Sequence, residues 1–338
     1  MRGRGNGEAM WRVRAPARLH LGFLDLHGGL GRRFGSLGLA LDRPALELTA
    51  SPAPRLTVEG PEAERVRRAI GSAASHLGVP PLGRFALAET IPPHAGFGSG
   101  TQIALAAAAA LARLHGRPFD PAAAAAALDR GNRSGVGLAA FTQGGLVLDG
   151  GRGAGGESGG DDAPPPVIAR LPFPTAWRVV LVLDEGRTGV HGPAETDAFA
   201  ALPPFPAPEA AHLCRLALMR ILPAAATGDI AAFGSGITEL QCRVGDHFAP
   251  VQGGRFTSPR VAAALDGFEA AGAAGIGQSS WGPTGFALAS SAAEAKRLVD
   301  RVAPSHPDLR FAIARGRNRG ASVARLSEDT VPFQEAAA

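Results

Sequence analysis

The sequence predicts a mixed α/β protein in two lobes, on three observations. Its 338 residues are enough for two compact bodies, each with its own core. Short apolar runs of strand character are interspersed with alanine- and leucine-rich runs of helical spacing. Between residues 150 and 166 the composition turns to glycine, acid and proline, as a surface excursion does. The lobes are accordingly placed at 11–170 and 171–330.

Trp11–Leu21 reads as a strand, and Leu37–Leu41 with Leu46–Thr49 as two more around a turn. Helical spacing from Glu62 to Leu77 predicts a surface helix, and Phe85–Ala88 a short strand. Helices are expected over Thr101–Leu114 and Pro121–Gly131, then a strand over Gly144–Asp149. In the second lobe Trp177–Leu183 reads as a buried strand. His212–Ala226 and Ile230–Gln241 read as helices parted by Gly228 and Asp229, with another over Val261–Ala271. Gly285–Ala289, Ala292–Val302 and Leu309–Ile313 form a strand, a helix and a strand.

A hydrophobic content of 45% fits a globular chain rather than a disordered one. The basic residues are arginines apart from Lys296, and arginine suits bidentate contact with phosphate or carboxylate. They are scattered, so the partner expected is an anionic small molecule, not nucleic acid. Cys214 and Cys242 are too few for a disulfide framework and read as cytosolic thiols. The polar opening segment lacks a signal core, and Ile103–Ala112 is too short to span a bilayer, so a cytoplasmic protein is expected.

The most informative stretch runs from Ile91 to Gln102 into the Ala/Leu helix. His94, Gly96, Gly98, Ser99, Gly100, Thr101 and Gln102 sit where a glycine-rich turn meets a helix start. That arrangement gathers backbone N–H groups and a positive helix end, which suits phosphate or diphosphate. Ser99 and Thr101 are also candidates to complete the shell of a phosphate-bound Mg²⁺, with Thr101 as a plain helix cap the alternative. The turn matches neither Gly-x-x-x-x-Gly-Lys-Ser/Thr nor Gly-x-Gly-x-x-Gly, which argues against P-loop and dinucleotide folds.

Three further groups stand out. Arg18 and His20, two apart in a strand, share a face, with Asp25 at the strand end. They suit anion binding and proton exchange, against a structural Arg18–Asp25 pair with His20 as packing. Gln278, Ser279, Ser280 and Trp281 lie in a glycine-framed cluster where an aromatic substrate can stack, the alternative being a tight turn with Trp281 buried. Asp184 and His191 follow the Trp177–Leu183 strand, a usual place for functional loops, although surface charge explains either alone.

Ala15–Gly22, Pro93–Thr101 and Gly275–Gly282 resemble, in order, the three motifs of the GHMP kinase superfamily. Ala17–Asp25, Gly96–Gln102, Gln252–Gly254 and Gly277–Gly285 resemble more specifically the beta-ribofuranosylaminobenzene 5'-phosphate synthases. The resemblance implies an α+β fold, with a first lobe like domain 2 of ribosomal protein S5 and a ferredoxin-like second lobe. It implies joining 5-phospho-alpha-D-ribose 1-diphosphate to 4-aminobenzoate with loss of carbon dioxide and diphosphate, early in methanopterin biosynthesis. Ser134-Gly-Val-Gly137 resembles a kinase Ser-Gly-Val/Ile-Asp segment, but with glycine in place of the aspartate commonly proposed as base.

On this resemblance Gly96–Thr101 and Mg²⁺ steady the departing diphosphate, and Arg18 holds an anionic group. His20 positions or exchanges a proton, and Asp25 orients these groups or approaches the metal. Trp281, Gln278 and Ser279 line an aromatic pocket, with Asp184 and His191 contributing from the neighbouring loop. Neither pyridoxal phosphate nor nicotinamide is expected, and a homodimer is the base-rate assembly. The alternatives are an ATP-dependent small-molecule kinase and a non-catalytic anion-binding regulator.

Overall fold

The computed structural model describes residues 10–131, 134–153, 163–189 and 192–326. The first lobe carries β1 (Met10–Asp25), β2 (Arg32–Ser51), β3 (Leu56–Glu59), α1 (Ala63–Leu77), β4 (Gly83–Glu89), α2 (Ser99–Leu114), α3 (Pro121–Ala127), α4 (Val136–Thr142), β5 (Leu146–Asp149), β6 (Arg152–Gly153) and β7 (Val167–Leu171). The second carries β8 (Arg178–Leu183), α5 (Pro193–Ala201), α6 (Ala207–Leu216), α7 (Leu222–Thr227), α8 (Ile230–Gln252), α9 (Pro259–Ala270), β9 (Gly275–Gln278), β10 (Gly285–Ala289), α10 (Ala292–Val302) and β11 (Arg310–Ala314). A last strand, β12 (Ser322–Leu326), returns to the first lobe.

The first sheet runs β12-β1-β2-β4-β3, with β5 and β6 also pairing β2 and β7 pairing β5. The second is antiparallel in the order β11-β8-β10-β9, and its βαββαβ succession is the ferredoxin-like one that the family resemblance implies. The division near residue 170 separates the two sheets, but the expectation that 171–330 forms one lobe is corrected by β12. That strand pairs β1 antiparallel, Met10 opposite Leu326 and Arg14 opposite Ser322.

Two strands expected around a turn are instead the single strand β2. Opposite Pro16 and Ala17 its register jumps from Ala45 to Leu41, a bulge that holds Pro44, which has no N–H for the ladder. A second irregularity, between His20 and Gly22, carries β1 beyond Leu21 to Asp25. The helix expected over His212–Ala226 is broken at Ala217–Ile221 into a wider π turn. Pro223 follows directly, and its ring cannot accept an unaltered preceding turn. Helix α8 runs past Gln241 to Gln252 and stops at Gly253.

Residues Gln102 to Ala112 of α2 are all buried, so this helix is apolar on every side and central. Its alanines let β1 and β2 approach closely. One core joins this helix to Phe23, Phe248 and Trp281, so apolar packing continues across both lobes. A smaller core under α9 and α10 includes Val180, Leu265, Phe268 and Leu298. No helix among the described residues is long and apolar enough to cross a membrane.

Candidate active site

The chain leaves β4, turns through Ile91–Gly98 and enters α2. Gly96 and Gly98 have φ of 86° and 73°, left-handed values that side-chain-bearing residues rarely adopt. Gly98 is the N-cap of α2, and no side chain caps that end, so its first N–H groups stay available to a ligand. Arg18 of β1 lies beneath this turn: its backbone N–H donates to Phe97 O at 3.1 Å and its guanidinium to Gly96 O. Burial lowers Arg18 to about 10, with Glu195 opposing, so it keeps its charge at neutral pH.

Three more arginines close on the same turn. Arg65 pairs with Glu62 and donates to Ser99 Oγ at 3.3 Å. The guanidiniums of Arg65 and Arg130 each lie 3.4 Å from where a Cβ on Gly100 would stand. Burial also lowers Arg130, with Asp129 opposing and Arg65 adding to the shift. With Arg68 these groups line a cleft of about 740 Å³, in which Glu195 is the one carboxylate among the described lining residues. Such a wall suits a ligand with several negative charges.

The cleft ends against a second loop from the other lobe. Ser279 Oγ donates to Gly96 O at 2.7 Å and accepts the His20 N–H at 3.0 Å. Gly189 N–H donates to His94 O at 2.9 Å, bringing the loop after β8 onto the turn. Behind Trp281 lies a chamber of about 30 Å³, lined by His20, Phe23, Gln241, Phe248, Gln278 and Trp281 among others. Ser280 and Trp281 line both spaces. Burial, then the charge of Arg18, lowers His20 to about 3, so its ring is neutral. His20 Nε2 and Trp281 Nε1 are buried without a hydrogen-bond partner.

The structure brings Arg18, His94, Gly96, Gly98, Ser99, Gly100, Ser280 and Trp281 to the cleft, with His20 behind them. Several expected site side chains are committed elsewhere. Gln102 is fully buried and donates to Gly137 O at 2.8 Å, a strut between α2 and α4 and not a ligand contact. Thr101 packs on Gly137: a Cβ there would lie 3.3 Å from Thr101 Cγ2. The segment resembling the kinase base loop therefore does face the helix start, but carries no carboxylate.

Asp184 is held by Ser258 Oγ at 2.6 Å and by Arg260 at 2.6 Å, which assigns it to fastening α9 rather than to catalysis. Gln278 bridges Thr257 N and Ser280 O, and Ser279 is the clasp described above. Trp281 is buried against Phe248 and Phe199, 4.4 Å and 5.3 Å away between ring centroids, which leaves little of its ring exposed for stacking. Asp25 caps the turn after β1, accepting from the N–H groups of His27 and Gly28. His191 lies outside the described residues.

Sequence reasoning missed Arg65, Arg68 and Arg130, whereas Glu195 falls among the charged residues it marks after the Trp177–Leu183 strand. Arg65 and Arg68 stand three apart on α1, one face of a helix read only as a surface element. That spacing was the signal available.

The family described as GHMP kinases N terminal domain matches residues 64–145, and GHMP kinases C terminal matches 221–308. The chain is 33% identical over 325 residues to the beta-ribofuranosylphenol 5'-phosphate synthase of Methanothermobacter thermautotrophicus, covering 91% of this chain and 97% of that protein. It is 34% identical to the protein of that name from Archaeoglobus fulgidus, covering 93% and 99%. Among solved structures, homoserine kinase from Cytophaga hutchinsonii superposes with a TM-score of 0.65 at 18% identity, covering 96% of this chain and all of that one (100%). Mevalonate kinase from L. major gives 0.66 at 15% identity, covering 92% and 96%.

Proposed function

We propose, from the premise that this chain belongs to the GHMP kinase family and within it to the beta-ribofuranosylphenol 5'-phosphate synthases, that it joins 5-phospho-alpha-D-ribose 1-diphosphate to a 4-substituted benzoate. The step belongs to methanopterin biosynthesis and makes the enzyme a decarboxylating phosphoribosyltransferase. The sequence-based acceptor is 4-aminobenzoate. The phenol in the relatives' name corresponds to its hydroxyl counterpart, 4-hydroxybenzoate. Both carry an electron-donating group para to the carboxylate.

One observation carries this reading beyond the family name: a phosphate turn ringed by arginines faces Gly137, where an aspartate base is commonly proposed for kinases. The bond from the anomeric carbon to diphosphate breaks, and its electron pair leaves with diphosphate. The α2 start, Arg65 and Arg130 offset that growing negative charge. Arg18, charged and half-buried, holds an anionic group of the donor or acceptor. The ring carbon bearing the carboxylate bonds to the anomeric carbon. Carbon dioxide then departs, and the pair from its bond restores the aromatic ring. No external base is needed for that balance.

The donor set does not fit a protein-held Mg²⁺. Ser99 is bonded to Arg65, Thr101 lies against Gly137, and the described residues hold no cluster of three or more metal-binding side chains. Mg²⁺ enters the proposal only as an ion carried on the diphosphate, and no step runs through it. The charged substrates do not cross membranes unaided, which supports a cytoplasmic location. A homodimer stands as the default assembly for such an enzyme.

Incubation with phosphoribosyl diphosphate and either benzoate tests the reading. One carbon dioxide and one diphosphate per product, with the ribosylated ring identified by mass, is the expected result. ATP-dependent ADP formation without acceptor-dependent carbon dioxide would show a kinase instead. Ligand binding without turnover would show a regulator.

A further inference from the structure

A left-handed backbone is unfavourable for residues with a side chain, because Cβ then crowds the following carbonyl oxygen. Among the described residues, Phe34, Glu62, His94, Asp129 and Ser280 adopt it all the same, with φ of 52–78°. Phe34 packs on Phe23 and Phe199. The other four gather about the large cleft: His94 and Ser280 line it, Glu62 pairs with Arg65, and Asp129 precedes Arg130. Backbone strain collected in one place points to function there.

Glu62 is the clearest case. It is the N-cap of α1, at φ 60° and ψ 21°, and its side chain caps no N–H of that helix. Its carbonyl starts the helix, accepting from Arg65 N–H at 2.9 Å and Val66 N–H at 3.1 Å. Its carboxylate is turned to Arg65, whose Nη1 donates to it at 2.5 Å. The other end of that guanidinium, Nη2, lies 3.3 Å from Ser99 Oγ and 3.4 Å from where a Cβ on Gly100 would stand. Arg130 Nη1 lies 3.4 Å from that same point. Glu62 therefore grips one end of the fork and leaves the other at the start of α2. A glycine here would relieve the backbone, and an extended serine or aspartate would cap the helix. Stability alone explains neither the residue nor its conformation.

We propose that Glu62 is a positioning residue for the diphosphate: it fixes Arg65 beside Arg130, so that the two guanidiniums share one phosphoryl group over the first turn of α2. The ligand's identity rests on the synthase reading above. An unrestrained arginine samples many rotamers, and ordering it on binding weakens affinity. A guanidinium fixed beforehand escapes that loss. The sign of the effect is distinctive. As a mere counter-charge beside an anion site, Glu62 opposes diphosphate binding, and its removal tightens the complex. As a positioning group it favours binding, and its removal loosens the complex.

Calorimetry with inorganic diphosphate on the full chain reads that sign. Glu62→Gly is expected to raise Kd about tenfold while Tm stays within about 2 °C of wild type. In an Arg65→Gln background the same change is expected to leave Kd within about twofold or to lower it, since no guanidinium is left to place. Unchanged or tighter binding by Glu62→Gly overturns the inference. So does weaker binding with a fall in Tm of more than about 5 °C, or an equal loss in both backgrounds. The expected Kd pattern without product from either benzoate sinks the synthase reading and leaves the role of Glu62 standing. A wild type that binds no diphosphate removes both.

Discussion

Arg18 lies so closely under Gly98 that a Cβ on residue 98 would stand 3.0 Å from both its Cγ and its Nε. The glycine thus does two jobs: it starts α2 in a left-handed conformation, and it leaves space for a guanidinium that braces the turn from below. Gly98→Ala is expected to push Arg18 aside and cost about 1 kcal/mol of stability from the backbone alone. The KM for phosphoribosyl diphosphate should rise roughly tenfold or more while far-UV circular dichroism stays native. Unchanged donor kinetics would separate the turn from donor binding.

Arg130 sits beside Arg65 over Gly100, two like charges close enough that Arg65 helps to lower Arg130. Such an arrangement is costly until an anion joins it. Arg130→Gln should therefore weaken donor binding by roughly ten- to a hundredfold, with little loss of folded stability. The measurement is donor affinity by calorimetry, and equal affinity in variant and wild type would remove Arg130 from the site.

His20 ties acid stability to the inner chamber. Its folded value of about 3 lies below the ordinary 6.5, so the unfolded chain binds a proton that the folded one refuses between those pH values. Above pH 6.5 the residue carries no penalty. As pH falls from 6.5 toward 3 stability is lost, by up to about 1.4 kcal/mol per unit from this one group. Denaturant unfolding at pH 7 and pH 5 should show a smaller acid loss in His20→Gln than in the wild type. An identical loss in both would place the sensitive group elsewhere.

Asp184 separates a structural carboxylate from a catalytic one. Asp184→Asn breaks its pair with Arg260 and weakens the Ser258 contact at the start of α9. About 2 kcal/mol and a few degrees of melting temperature are expected to go, with both KM values within about twofold of wild type. A hundredfold drop in kcat in the folded variant would return Asp184 to the chemistry.

Much of this was legible in the chain because local signals agree with the fold. Gly96 and Gly98 announce the turn, and the alanines of 103–112 announce a helix that must be buried. Less was legible where distant segments decide. Gln102 stands beside the ligand-binding residues in sequence, yet helical rotation turns it inward onto Gly137. Arg65 and Arg130 reach the cleft only because α1 and α3 pack beside α2, which no short window records. Trp281 was found, but its neighbours Phe199 and Phe248 come from α5 and α8, and they alter its role from stacking surface to chamber wall.

The return of β12 to pair with β1 means that the polypeptide passes between the lobes twice, before β8 and again after β11. A body joined at two places, with a continuous apolar core between them, has little freedom to swing. The gap across which sugar and ring must meet is then set by the fold itself. Donor and acceptor enter a gauge already at its working width, so the ordering entropy that many two-lobed enzymes spend on closure is met here once, during folding.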